Sequence, residues 1–319
     1  MKAAICQRYS SVEVVEMQKP TPKENEVLIK IKSSSINAYD WHIWKGDPIL
    51  VRFREGLRKP KPNTILGCDV AGIVEAIGKN IKDFQVGDAV YGCLADGSGD
   101  SAYAEYVCAK EGVLAKKPDT LSFTEASAIP MAAVTALQGL RCFGGIKKGQ
   151  SVLINGASGG VGTFSVQLAK SFGAVVTGVC STANLDMVRS LDADEVIDYK
   201  KEDFTRKKKK YDVIIDVAAS HSLREYRRVL KPDGVCVAIG FSSFWKILNV
   251  MLFGKCSAKK ARLLMADNGK REDLEYIHTL FAEGKIRAVI DAEYPLERIK
   301  EAFDYFEKEH AKGKVIIKM

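Results

Sequence analysis

A chain of 319 residues is longer than one ordinary hydrophobic core supports, so two domains of roughly 100 to 200 residues each are expected. An apolar fraction of 46% beside 28% charged residues excludes the disordered and fibrous classes. The net charge of +8 comes from scattered cations; only Arg206 to Lys210 form a dense run, which reads as a solvated loop that can also steer an anionic cofactor, and no nucleic-acid partner is expected.

Eight cysteines, at 6, 68, 93, 108, 142, 180, 236 and 256, contain no C-x-x-C pair and no clustered ligand spacing. They read as reduced, buried thiols. The first ten residues carry charge and polar groups, which argues against a signal or transit peptide and leaves the cytoplasm as the expected compartment. The longest apolar stretch, 235–253, is interrupted by Gly240, Ser242, Ser243, Lys246 and Asn249. A bilayer helix needs about 20 mostly apolar residues, so no integral membrane segment is expected.

From 1 to about 121 the chain reads as short strands broken by turns. Val27, Ile29 and Ile31 alternate with Leu28, Lys30 and Lys32, and glycines at 67, 72, 78, 87 and 92 mark turns or bulges. The pattern changes at Ser122, where Ser122 and Glu125 match a capping box that starts a helix. Apolar strand candidates at 152–154, 175–179, 195–197, 213–217, 235–239 and 263–265 then alternate with helical patterns, which predicts a doubly wound parallel sheet. In the first of those helices Val161, Phe164, Leu168 and Phe172 fall at helical spacing, and Gly173 ends the run. After Asp267 a helix over 273–282, a strand at 288–290, a helix over 296–306 and a strand at 314–317 read as a tail returning to the first domain. The expected fold class is α/β, a Rossmann sheet domain over 122–267 inserted in a β-rich domain formed by 1–121 and 268–319.

The strongest signal is an apolar strand running into Gly156, Ala157, Ser158, Gly159, Gly160, Val161 and Gly162 and then into the amphipathic helix. Aligned as Ala157-x-Gly159-x-x-Gly162, it is a dinucleotide fingerprint: small residues let the backbone turn tightly and approach a pyrophosphate at the helix N-terminus. The competing readings are an ordinary strand-to-helix turn and the nucleotide loop of a methyltransferase. About 20 residues on, where an NAD enzyme carries an acid for the ribose hydroxyls, stand Cys180, Ser181 and Thr182. Two hydroxyls can donate to a 2′-phosphate with no carboxylate to repel it, which favours NADP(H) over NAD(H). No Arg or Lys occupies 183–186, so the preference need not be strong. Tyr199, after the third strand, is a candidate to stack on the adenosine end or an ordinary surface tyrosine.

Over nearly its whole length the chain resembles the medium-chain dehydrogenase/reductases, within them the zinc-free quinone oxidoreductase branch with its chloroplast-envelope homologues and alkenal reductases. The resemblance rests on Asn37-Ala-Tyr-Asp40-Trp41, Gly67-Cys-Asp-Val-Ala-Gly72 followed by Val86-Gly-Asp88, Ala133-Val-Thr135-Ala-Leu-Gln138 and the glycine turn. It implies a GroES-like β domain, with the cofactor in the cleft between the domains. Zinc-dependent relatives would show Cys near 37–40 and His-Glu after Gly67; this chain has no Cys in the first place and Cys68-Asp69 in the second, and it lacks the four-cysteine structural lobe. No metal is expected. Without a Lewis acid, alcohol oxidation suits the site poorly, whereas hydride addition to an enone, enal or quinone yields an anion that delocalises its own charge.

The resemblance places Asn37, Tyr39 and Asp40 beside the nicotinamide, Thr135 on its carboxamide, and Val217, Ala218, Gly240 and Phe241 along the same groove. Tyr39 is the expected donor to the acceptor oxygen, Asn37 a positioning residue, and Asp40 either an orienter or a structural cap, although Asn and Asp also serve local turns. The apolar segment 241–253 either walls a hydrophobic substrate pocket or packs in the core. The four histidines, 42, 221, 278 and 310, are dispersed and carry no catalytic expectation. Asp192 stands where relatives commonly have Gly, at a position that tolerates it if the backbone is left-handed. The expected activity is NADPH-dependent reduction of a quinone or an activated C=C bond. Its alternatives are a carbonyl reductase or alcohol dehydrogenase, and an NADPH-binding redox sensor without turnover. A homodimer formed through the last strand of the Rossmann sheet is implied by resemblance.

Overall fold

The computed structural model describes residues 1–95, 101–239, 250, 260–264, 266–308 and 311–319. The alternation at 27–32 lies in a strand, Glu26–Ile36, in which Val27, Ile29 and Ile31 are buried. It is the third strand of the chain, after β1 (Lys2–Arg8) and β2 (Ser11–Glu16), which pair as an antiparallel ribbon. As β3 it is followed by α1 (Ala38–Lys45), α2 (Ile49–Glu55), β4 (Asp69–Ile77), β5 (Ala89–Cys93), β6 (Tyr106–Lys110) and β7 (Leu114–Lys116). These strands and the two last strands of the chain form a seven-stranded sheet in the order Ile290–Pro295, Lys314–Lys318, β3, β4, β5, β7, with β6 also on β3. Gly87 takes positive φ in a turn as expected and Gly67 takes positive φ in the stretch leading into β4, whereas Gly72 and Gly92 lie inside β4 and β5.

The capping box forms: the Glu125 carboxylate accepts the Ser122 amide at 2.9 Å, and Ser122 Oγ accepts the Glu125 amide at 3.2 Å. It opens α3 (Phe123–Ala128), which packs on β3 and β4, and α4 (Pro130–Gln138) follows. The chain divides into two compact units, Met1–Ala132 with Asp267–Ala282 and Ile290–Met319, and Ala133–Ala266 with Glu283–Val289. The division thus falls later than the expected 121/122, because α3 belongs to the first sheet.

The second unit is built from β8 (Ser151–Asn155), α5 (Gly160–Ser171), β9 (Val175–Cys180), α6 (Leu185–Arg189), β10 (Glu195–Asp198), β11 (Tyr211–Asp216), α7 (Leu223–Val229), β12 (Leu230–Ala238) and β13 (Lys260–Leu263). All six strands are parallel, in the order β10-β9-β8-β11-β12-β13. Numbered within the unit this is 3-2-1-4-5-6, the order of a dinucleotide-binding Rossmann sheet, with its switch point between β8 and β11.

Two strand expectations shift in register. The strand expected at 263–265 begins at Lys260, and the one expected at 288–290 is Ile290–Pro295, where pairing with Lys314–Lys318 rather than local apolarity sets the limits. Asp192 adopts φ 64°, the left-handed backbone that Asp was expected to tolerate if the position required it. In the basic run Lys207 pairs with Glu202 at 2.9 Å and Lys209 with Glu195 at 2.6 Å, so part of its charge is neutralised within the loop. Among the described residues no helix is long and apolar enough to cross a membrane. The segment 241–253 lies outside the described residues except Val250.

Candidate functional site

The glycine turn leaves β8 and is tied to β9 through its backbone: the Gly156 and Ala157 amides donate to the Val179 carbonyl at 3.1 and 2.9 Å. Gly156 has φ 87°, a conformation that L side chains rarely adopt. A Cβ on Gly162 would lie 2.0 Å from the Gly156 carbonyl oxygen, so only glycine lets α5 pack this close to the turn. Gly159 differs, since a Cβ there would meet nothing nearer than 3.8 Å. It is the N-cap of α5 and offers no side-chain cap, so the amides of the first turn keep their donor capacity for a ligand. Ser158, Gly159, Gly160 and Val161 are partly exposed, and Ala157 is buried against the sheet.

At the end of β9, Cys180 is buried, which pushes its thiol up to about 11. Ser181 is half-buried and Thr182 exposed. The Thr182 hydroxyl donates to Asp198 at 2.6 Å, and the Lys200 amide donates to the same carboxylate at 3.0 Å. The Thr182 hydrogen bond, with smaller help from Lys200 and Lys201, holds the Asp198 carboxyl below its ordinary value. The structure therefore corrects the expected surroundings of this site: an acid contributed by β10 stands beside Thr182, and Lys200 and Lys201 lie near enough to lower that carboxyl. Tyr199 sits between these groups in sequence, its ring about half exposed.

Across the switch point, the Val217 and Ala218 amides donate to the Asn155 carbonyl at 3.0 and 3.3 Å, and Ala218 stands against Gly156. Asn155 Nδ2 donates to Asp216 at 2.9 Å and lies 3.0 Å from both Ser220 Oγ and Tyr226 Oη. Burial raises the Asp216 carboxyl, against hydrogen bonds from Tyr226, Asn155 and Ala219 that lower it. Ala219 adopts φ 49° and donates its amide to Asp216 at 3.0 Å. None of this polar cluster was expected from the sequence. Thr135 is buried on α4, and Gly240 and Phe241 lie outside the described residues.

In the first unit Asn37 and Asp40 are buried, whereas Tyr39 is half-buried. Asp40 is a cap: its Oδ2 accepts the Asn37 amide at 2.8 Å where α1 begins. The Asn37 amide group is engaged inside the protein, Nδ2 donating to Asp69 Oδ2 at 2.9 Å and reaching Cys68 Sγ at 3.4 Å, while Oδ1 accepts from Lys314 Nζ at 2.5 Å. Tyr39 packs against the group formed by Cys68, Cys93 and Met131, and the Arg54 guanidinium lies 5.9 Å from its ring centroid.

At the centre of this group is Asp69, fully buried. Its Oδ2 accepts from Ser35 at 2.7 Å, from Asn37 and, at 3.4 Å, from Lys314; its Oδ1 accepts the Met131 amide at 2.9 Å. Sulfur and carboxylate atoms of Cys68, Asp69 and Cys93 lie within 4.8 Å of one another. Sequence spacing gave no sign of this group; the start of β4 and the end of β5 bring together residues 25 positions apart in sequence. Burial drives the Cys68 thiol well above its ordinary value. A hydrogen bond from Cys68 lowers Cys93, yet burial leaves that thiol raised as well. Cys142 is exposed, so not every thiol is interior as expected.

The sequence pattern described as zinc-binding dehydrogenase matches residues 191–317, and that of the alcohol dehydrogenase GroES-like domain matches 23–119. A chloroplast envelope quinone oxidoreductase homolog of Arabidopsis thaliana is 35% identical over 319 residues, 97% of this chain and 94% of that protein. The NADPH-dependent alkenal/one oxidoreductase, chloroplastic, of the same organism is 33% identical over 334 residues, 99% of this chain and 79% of that protein. Among solved structures, the quinone oxidoreductase from Coxiella burnetii matches with a TM-score of 0.89 and 28% identity, over 100% of this chain and 99% of that one. The chain belongs to the medium-chain dehydrogenase/reductase superfamily and is an oxidoreductase.

The zinc-binding description invites a test of fit. Each carboxylate oxygen offers about two lone-pair sites; Asp69 Oδ2 already accepts from Ser35, Asn37 and Lys314, and Oδ1 accepts the Met131 amide. Its neighbour is an ammonium 3.4 Å away. The donor set as arranged does not fit a zinc ion.

Proposed function

We propose that this oxidoreductase is zinc-independent and uses NADPH to transfer a hydride to a quinone or to the activated C=C bond of an α,β-unsaturated carbonyl. The observation that carries the reading is the Gly156–Gly162 turn at the switch point of a 3-2-1-4-5-6 sheet, with close packing at Gly162 and no side-chain cap on the first amides of α5, an arrangement that suits a pyrophosphate. Ser181 would hold the 2′-phosphate with Lys200 and Lys201, Thr182 would border it with its proton kept on Asp198, and Tyr199 would hold the adenine side. Thr135, Val217, Ala218, Gly240 and Phe241 would border the nicotinamide. When bound, the nicotinamide supplies the hydride.

The protein's remaining task is to meet negative charge on the acceptor oxygen. Tyr39 is the residue proposed for that hydrogen bond, being the member of the 37–40 group whose side chain is part exposed, while Asn37 and Asp40 hold α1 and the Asp69 cluster in place. The Asp69 carboxylate, engaged by four donors of the protein itself, supports acceptors whose product anion is delocalised, because they ask for a hydrogen bond rather than a Lewis acid.

The test is steady-state turnover of NADPH and NADH across short enals, enones and quinones without added metal. NADPH oxidation with at least one class is expected; a chain that binds NADPH but is inert to all three, or that needs zinc to oxidise alcohols, defeats the proposal. With a turned-over acceptor, Tyr39→Phe should lower kcat about 100-fold with little change in KM. A cytosolic location and a homodimer through β13, the last strand in the sheet order, belong to the same proposal and are checked by fractionation and light scattering.

A further inference from the structure

Apolar side chains scattered singly over a surface are ordinary, whereas a group of them ringed by charge marks an interaction surface. Among the described residues eight large apolar side chains are exposed, and four of them fall within nine positions: Ile49 at 66%, Leu50 at 45%, Phe53 at 70% and Leu57 at 61%. They lie on α2 and just past its end, inside the first unit. Ile49 and Phe53, four residues apart, share one face of the helix.

The segment is held in place from its other side. Val51 packs on the first unit's core, and Glu55 is buried and paired with Arg54 at 3.0 Å. The Tyr9 hydroxyl donates to the Gly56 carbonyl at 2.5 Å, Arg52 Nε donates to the Gly46 carbonyl at 2.8 Å, and the Lys61 amide donates to the Glu55 carbonyl at 2.9 Å. Gly56 has φ 133°, and a Cβ there would lie 2.2 Å from the Lys59 carbonyl oxygen, so glycine lets the chain bend back and return Lys59 to the end of the helix.

Charge selects the occupant. From Asp47 to Lys61 the cations are Arg52, Arg54, Arg58, Lys59 and Lys61, and the acids are Asp47 and Glu55 alone. Arg54, Arg58, Lys59 and Lys61 are exposed, whereas Glu55 is buried. A second copy of the same surface would set like charges against each other. A layer of anionic headgroups meets the cations, and the acyl boundary beneath it takes the apolar side chains, with the long Lys and Arg stems spanning the two. We infer that residues 49–61 form a docking surface that seats the first unit peripherally on an anionic phospholipid bilayer. This surface is independent of the cofactor and acceptor assigned above.

The test is co-sedimentation of the full chain with vesicles of pure phosphatidylcholine and of equal parts phosphatidylcholine and phosphatidylglycerol. Binding to the anionic vesicles alone is expected, and it should weaken as salt is raised. Phe53→Asp should weaken it at least tenfold by putting a charge into the apolar group. Joint Arg58→Gln, Lys59→Gln and Lys61→Gln should also weaken it at least tenfold, at about fivefold per cation lost from an anionic surface. Phe53→Trp keeps the group apolar and gives a second readout, a shift of its emission to shorter wavelength when anionic vesicles are added. No binding by the wild-type chain, or binding that both sets of variants leave unchanged, overturns the inference. Binding lost with the cations but kept in Phe53→Asp, without an emission shift in Phe53→Trp, also overturns it, because the surface would then be a patch for any polyanion, an acidic protein included. Self-association abolished by Phe53→Asp with no vesicle binding overturns it in favour of a second copy.

Discussion

At the Gly156–Gly162 turn, the groups that can meet a ligand are backbone amides, brought to the surface by small residues and uncapped by any side chain. Around Asp69 they are side chains, buried and already bonded to one another. A region of the first kind is prepared for a partner that arrives and leaves. A region of the second kind has supplied its own partner, and its polar groups fix geometry. The contrast teaches that burial and polarity together do not mark a binding site; unspent hydrogen-bonding capacity does.

The largest expected effect sharpens the second half of that contrast. Asp69→Ala leaves the Lys314 ammonium buried without its carboxylate, and such a loss costs about 3–5 kcal/mol. Urea unfolding should report it, with the thermal shift given by NADPH preserved in whatever fraction stays folded. A loss under about 1 kcal/mol, the range of exposed ion pairs, would show that the cluster is not the closed interior network its distances describe.

Two neighbouring glycines probe the first half. In Gly162→Ala the new methyl falls 2.0 Å from a backbone oxygen, so the turn must move; a stability loss of about 1–3 kcal/mol is expected, with NADPH binding weakened at least tenfold. In Gly159→Ala the methyl meets nothing nearer than 3.8 Å. Stability should then change by no more than about 1 kcal/mol, the intrinsic Gly-to-Ala difference, while cofactor binding still suffers because the methyl stands where a phosphate would approach. Equal loss of stability in both variants contradicts the separate roles.

How legible each region was in the sequence follows from the same contrast. The turn is contiguous, and its residues carry their reasons with them: Gly for positive φ at 156, Gly for close packing at 162. The Asp69 network joins Ser35, Asn37, Asp69, Met131 and Lys314 from four parts of the chain, and nothing local marks Lys314 as interior. Lys318, four residues on in the same strand, looks identical as a letter and is exposed on an ion pair with Glu293. The Thr182 to Asp198 contact was hidden for the same reason, since adjacency of β9 and β10 creates it. Strand order itself was legible only as alternation; the register that shifts the strand at Ile290 comes from pairing with Lys314–Lys318.

Smaller effects test the margins of the cofactor region. Thr182→Ala removes the hydroxyl that engages Asp198, leaving that charge bare beside the proposed 2′-phosphate position. The ratio of kcat/KM for NADPH to that for NADH should fall about threefold to tenfold, in line with one hydrogen bond of about 1 kcal/mol. An unchanged ratio would mean that Lys200 and Lys201 set the preference alone.

The smallest expected effect concerns Asp216, whose carboxyl is raised by burial at the switch point. An acid with a raised folded pKa binds its proton more tightly folded than unfolded, so it contributes falling stability as pH climbs from the ordinary carboxyl range through the raised value. Asn at this position keeps an oxygen to accept from Asn155 and Ala219 and cannot ionise. Asp216→Asn should therefore gain on wild type as pH rises from about 4 to 7, by at most about 1.4 kcal/mol per pH unit, the limit for one proton. Urea midpoints at several pH values measure it. A variant that instead loses ground as pH rises would mean that the charged form is stabilised by Asn155, Ala219 and Tyr226 more than burial opposes it, and that the carboxylate at the switch point, like Asp69, is held by partners of its own.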